Sequence, residues 1–92
     1  MTITIEYTKD NVDVTLYQEG VVTGENLIDA ISNVFGDQRY LSLKYWIADR
    51  TALSELLVDT NALRIIAELN MKESLRNPRI LLAPVTGVSK GY

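Results

Sequence analysis

The chain is expected to be an α/β domain built on a mixed sheet of about four strands, an N-terminal hairpin followed by two parallel βαβ crossovers. Three observations lead there. Two apolar runs of period two open the chain around a polar turn, two later segments carry apolar residues at helical spacing, and each of those helices is bracketed by short strand-like runs. Ninety-two residues suit one domain, here taken as residues 1–92. A core of this size buries only about 60–65% of the unfolded chain's surface, so a partner or a second copy would add useful stability.

Thr2 to Tyr7 alternates apolar and polar residues, as does Val12 to Tyr17, and Thr8-Lys9-Asp10-Asn11 between them is turn-forming. In this hairpin Ile3 and Ile5 face the core from one strand, and Val12, Val14 and Leu16 from the other. Gly20, before Val21-Val22, marks a bend or bulge at the strand's end. Thr23 or Gly24 is placed to cap a helix running to about Phe35, with Glu25 favoured in its first turn and Gly36 as its stop. Leu27, Ile28, Ile31, Val34 and Phe35 make one continuous face of it, leaving Asp29, Ser32 and Asn33 to solvent.

Asp37 to Tyr40 reads as a polar loop. Leu43 to Ala48 reads as a strand with Leu43, Tyr45 and Ile47 on one side and Lys44, Trp46 and Ala48 on the other, and apolar residues on both sides suggest a central strand covered twice. Lys44 fits near its start, where the stem can snorkel past Trp46. Arg50 to Val58 is expected to form a short helical turn, because Leu53, Leu56 and Leu57 fall on one side. A second helix opens at Asp59-Thr60, presents a wide apolar face (Ala62, Leu63, Ile65, Ile66, Ala67, Leu69 and Met71) and exposes Arg64, Glu68 and Lys72 as an i, i+4 ladder. Asn77-Pro78 is a stop, and Arg79 to Ala83 before Pro84 is the last strand.

Nine basic and twelve acidic residues give a net charge of −3, and the cations are scattered, which disfavours a nucleic-acid partner. No apolar run approaches the ~20 residues of a membrane span, and the N-terminus lacks a signal-peptide layout. A cytoplasmic protein is expected, without membrane insertion. The absence of Cys and His removes disulfides, thiolate chemistry and imidazole acid–base pairs. No cofactor, metal or catalytic residue is assigned, and no enzymatic activity is expected.

Asp49 and Asp59, each at an element boundary, could form a carboxylate pair, but an acid that caps a helix or pairs with Arg50 is the simpler reading. Tyr40, Tyr45 and Trp46 could line a pocket, although aromatic residues in a central strand more often form core. Neither Gly20–Gly24 nor the terminal Thr86-Gly87-Val88-Ser89-Lys90-Gly91 has the pattern of a phosphate-binding loop.

The order of elements, the Gly-marked strand end at Gly20 to Gly24, the strand Tyr45-Trp46-Ile47-Ala48-Asp49, the helix opening Asp59-Thr60-Asn61-Ala62-Leu63 and the run Arg79-Ile80-Leu81-Leu82-Ala83-Pro84 together resemble the STAS domains of bacterial anti-sigma-factor antagonists. The likeness is strongest to their divergent SpoIIAA-like relatives. In the regulatory members an Asp-Ser-Ser-Gly-Leu motif starts this helix and its second Ser is phosphorylated. Here Asp59 and Leu63 match, Thr60 stands at the first Ser, Asn61 at the phosphorylated Ser and Ala62 at the Gly, so the acceptor hydroxyl is missing. The resemblance implies a non-enzymatic interaction or regulatory module that self-associates, with Asp49, Arg50, Asp59, Thr60 and Asn61 as its surface for a protein partner. It also implies a further helix beyond residue 92, with Val88 to Tyr92 as its beginning or a loose tail. The alternative is a small carrier or sensor of an apolar, lipid-like ligand, with a pocket near Tyr45, Trp46, Leu53, Leu56 and Leu57.

Overall fold

A computed structural model of the chain describes residues 2–85. The expectation for Val88 to Tyr92 lies outside the described residues. The elements run β1 (Ile3–Tyr7), β2 (Asp13–Thr23), α1 (Gly24–Phe35), a 3-10 helix (Gln38–Ser42), β3 (Tyr45–Leu57), α2 (Thr60–Ser74) and β4 (Leu81–Val85). The four strands form one mixed sheet in the order β1-β2-β3-β4. β1 and β2 are antiparallel, while β2–β3 and β3–β4 are parallel. The expected architecture is therefore present.

The hairpin forms where alternation and turn chemistry agree. Asn11 takes the left-handed conformation (φ 57°) that Asn tolerates, and the Thr8 hydroxyl accepts from the Val12 and Asp13 N–H groups. Thr23 caps α1 through a capping box: its hydroxyl accepts from Asn26 N–H, and the Asn26 side chain accepts from Thr23 N–H. Asp59 caps α2 by accepting from Ala62 N–H at 2.8 Å.

Both crossovers step in the same direction across the sheet, and right-handed connections then place both helices on one face. That face receives Ile3 from β1, Val14, Leu16, Gln18 and Val22 from β2, and Trp46 from β3, all of them buried. The sheet is therefore covered on one side, not on both as the apolar pattern of Leu43 to Ala48 suggests. Tyr45, which pairs with Leu81, lies on the open face with 44% of its surface exposed.

The largest departure from expectation is at Arg50 to Val58, which is strand and not a helical turn. β3 runs thirteen residues, against eleven in β2. The register passes from Tyr17↔Asp49 to Glu19↔Ala52, then from Gly20↔Leu53 to Val21↔Glu55. Arg50 and Thr51 thus oppose Gln18 alone, and Ser54 is an extra residue beside Gly20, whose φ of 64° suits glycine. Two bulges change the inward spacing of β3 from two to three, so Arg50, Leu53 and Leu56 share one face as they would on a helix.

Smaller differences have local causes. Asp37 to Tyr40 leads into a 3-10 helix because Asp37 accepts from Arg39 N–H and forms a two-pronged ion pair with its guanidinium. β3 begins at Tyr45, after Leu43 and Lys44, and β4 is displaced to Leu81–Val85 with Pro84 inside it, as an edge strand permits. On α2 only Ala62 is buried, Ile65, Ile66 and Leu69 are half-buried, and Leu63 and Met71 are exposed, so its wide apolar face is covered in a narrow strip. Arg64, Glu68 and Lys72 are exposed, but Arg64 donates to the side-chain Oδ1 of Asn61 and not to Glu68.

The helices meet at their N-termini, where a Cβ on Gly24 would sit 2.5 Å from that of Ala62. Gly24→Ala should lower stability by about 1–3 kcal/mol through overpacking, although alanine favours the helix. Adding Ala62→Gly should recover a large part of that loss. Urea denaturation of both single variants and the double variant measures the coupling, and simple additivity would show that the contact does not limit the packing.

Candidate functional site

Between the covered sheet face and the two helices lies a cavity of about 530 Å³, within the size range of small-molecule sites. Its floor is sheet: Leu16 and Gln18 from β2, Trp46, Ala48, Arg50 and Leu56 from β3, and Leu82, Ala83 and Pro84 from β4. Its roof is helical, with Leu27, Ile31 and Phe35 from α1 and Leu63, Ile66, Asn70 and Ser74 from α2. Val58, Tyr40, Asn77, Pro78 and Ile80 complete the wall.

One end is closed by aromatic packing and long-range hydrogen bonds. Phe35, Tyr40 and Trp46 pack with ring centroids 5.1 to 6.4 Å apart in tilted and edge-on geometries. The Tyr40 hydroxyl donates to the Glu73 carbonyl at 3.0 Å, and burial raises its pKa, so it remains a neutral donor. Asn77, itself buried, donates from Nδ2 to the carbonyls of Tyr40 and Leu43 at 2.7 and 2.8 Å. Arg76 donates to the Phe35 carbonyl. These bonds pin the end of α2 to the segment after α1.

The opposite side, at the first bulge, is chemically different. Gln18 is 2% exposed and its Oε1 has no hydrogen-bond partner. The neighbouring Arg50 has a buried Nε, also without a partner, and the ion pairs among the described residues are Arg39–Asp37 and Arg76–Glu73. A buried polar atom left unpaired costs about 1–3 kcal/mol. Arg50 is the one charged residue among the described residues lining the cavity.

Of the residues expected from sequence to line a pocket, Tyr40, Trp46 and Leu56 do so. Leu53 packs against the core cluster, Leu57 is half exposed, and Tyr45 points to the other side of the sheet. The proposed docking residues are dispersed. Asp49 lies on the open face, where the Thr51 backbone N–H, then the Thr51 hydroxyl, hold its pKa below the usual carboxylate range. Arg50 turns into the cavity. Asp59, Thr60 and Asn61 are exposed at the start of α2, beyond roughly 25 Å of strand path. The structure thus separates the two acids, so they form no carboxylate pair.

No family model and no curated protein matches the chain. Solved structures of the protein Mglu share its fold. One is 16% identical with a TM-score of 0.56 over 90% of this chain and 19% of that chain. Another, of Mglu in its native form, is 14% identical with a TM-score of 0.55 over 95% of this chain and 24% of that one. The chain therefore spans about a fifth to a quarter of the Mglu chains it resembles, and the likeness is one of fold. Among the described residues no helix is long and apolar enough to cross a membrane, and no cluster of three or more carboxylates could hold a metal.

Gln18 and Asn77 escape reading as site residues in the sequence, and Tyr40 is expected there as a pocket-lining aromatic but not as a hydrogen-bond donor. Gln18 had a signal available, since it continues the inward series Val14, Leu16 as a polar residue. Tyr40 and Asn77 meet their partners across more than thirty residues, and no local pattern announces that. Asn77→Ala removes both bonds, leaving the Leu43 carbonyl without its partner while that of Tyr40 keeps the Leu43 N–H, and should cost roughly 1–3 kcal/mol. Thermal melting of the variant checks this, and a loss within experimental error would show that α2 is not held there.

Proposed function

We propose that the chain is a non-enzymatic carrier or sensor of an apolar small molecule, held between the sheet and the helices. The observation that carries this reading is the 530 Å³ cavity with its mainly apolar wall. The cavity opens to solvent past Leu63 and Leu82, which are 57% and 67% exposed, and a bound apolar body would take that surface out of water. Trp46, the chain's single tryptophan, lines the cavity and reports on its contents.

Titrating the full chain with 1-decanol while following Trp46 fluorescence should give saturable binding. Ala48→Phe, which places a ring in the cavity, should weaken binding at least tenfold without lowering the melting temperature. Absence of binding, or equal affinity in the variant, overturns the reading.

A second reading, an interaction module that self-associates, is supported by the open face of the sheet. There Tyr45, Leu81 and Val85 expose 44%, 59% and 40% of their surface on adjoining strands. Their partner in this reading is a second copy of the chain. Sedimentation at micromolar concentrations should show a dimer that Leu81→Lys converts to monomer, and a wild-type monomer at those concentrations removes the reading.

A further inference from the structure

The cavity's shape calls for an apolar body, and its one charged side chain calls for something more. From the placement of Arg50 and Gln18 we infer that the cavity takes an anionic amphiphile, a long-chain monocarboxylate whose headgroup lies against these two residues. This inference rests on the ligand-carrier reading of the cavity.

At the first bulge, Arg50 and Thr51 of β3 stand opposite Gln18 of β2. Arg50 and Gln18 both contribute to the wall. Gln18 is almost wholly buried with its amide oxygen unpaired, and the Arg50 Nε is likewise buried and unpaired. No acidic residue lines the cavity among the described residues, so nothing on its wall neutralises the guanidinium. A carboxylate suits Arg50 in charge and in hydrogen bonding, because the guanidinium fork can donate two parallel bonds to its oxygens. The Gln18 amide can add a donor from Nε2, but its unpaired Oε1 is an acceptor and gains no bond from an ionised carboxylate. The apolar tail then runs along Trp46, Leu56 and Ile66.

The ligand's charge must be separated from its tail in the test. Decanoate and 1-decanol share chain length, and both are titrated below micelle formation against Trp46 fluorescence at pH 7. Decanoate should bind roughly ten- to a hundredfold more tightly, as a charge-assisted pair implies. Arg50→Met should remove that advantage, lowering decanoate affinity at least tenfold more than decanol affinity, and Arg50→Lys should keep part of it. Melting temperatures of both variants establish that they remain folded. Equal binding of the two ligands, or decanoate affinity indifferent to Arg50→Met, overturns the headgroup assignment and leaves the carrier reading intact. Binding of neither ligand removes both. Decanoate binding that survives Ala48→Phe undiminished places the ligand elsewhere and also overturns the inference.

Discussion

Strand β3 is paired on both sides, and its register with β2 is the constraint from which the remaining structure follows. Side chains on a strand alternate faces, so an unbulged β3 starting from an inward Trp46 would turn Ala52 and Ser54 inward. The shifts at Gln18 and Gly20 turn Leu53 inward in place of Ala52 and Ser54, which lie exposed, and the second shift returns Leu56 to the covered face. The register ahead of the first shift sets Arg50 and Gln18 side by side on that face. A one-residue slip would invert every later side chain, which ties the apolar floor and its polar corner to one structural device.

The cavity has a mechanical origin in how α2 is attached. Its first turn touches α1 where Gly24 leaves room for Ala62. Its far end is held by Tyr40, Arg76 and Asn77, through bonds to and from main-chain carbonyls. Between these anchors the helix turns Leu63 and Met71 largely to solvent, at 57% and 75% exposure, while the sheet beneath offers the small Ala48. Met71 thus faces away from the gap and Leu63 lines it only in part, and the helix cannot settle onto the sheet without breaking contacts at an end.

Elements whose signals are local were legible in the sequence. The hairpin has its alternation and turn, α1 its complete capping box, and α2 its Asp59 cap. The second half of β3 was not legible, because two bulges give Arg50, Leu53 and Leu56 a spacing of three, which mimics a helix. The one-sided cover of the sheet was also hidden, since Tyr45 and Ile47 resemble buried residues when crossover direction is unknown. Trp46 and Leu56 were identified as pocket residues from composition near the central strand. Arg50, expected from the sequence on a docking surface with Asp49, lines the cavity, because the register sets it on the covered face opposite Gln18.

Gln18 and Arg50 are the places where the chain departs from its own pattern. Every other buried β2 position on the covered face is apolar, and an apolar residue at 18 would relieve an unpaired amide oxygen. Sequences that fold well tend to agree across levels, with exceptions gathered where function imposes them. Here two exceptions meet across a single bulge and open onto the same apolar volume. The Gln18 Oε1 and the Arg50 Nε find no partner within the described protein. The cost of Arg50 becomes intelligible if its partner is supplied by what the cavity holds, which would couple headgroup recognition to the register that shapes the site.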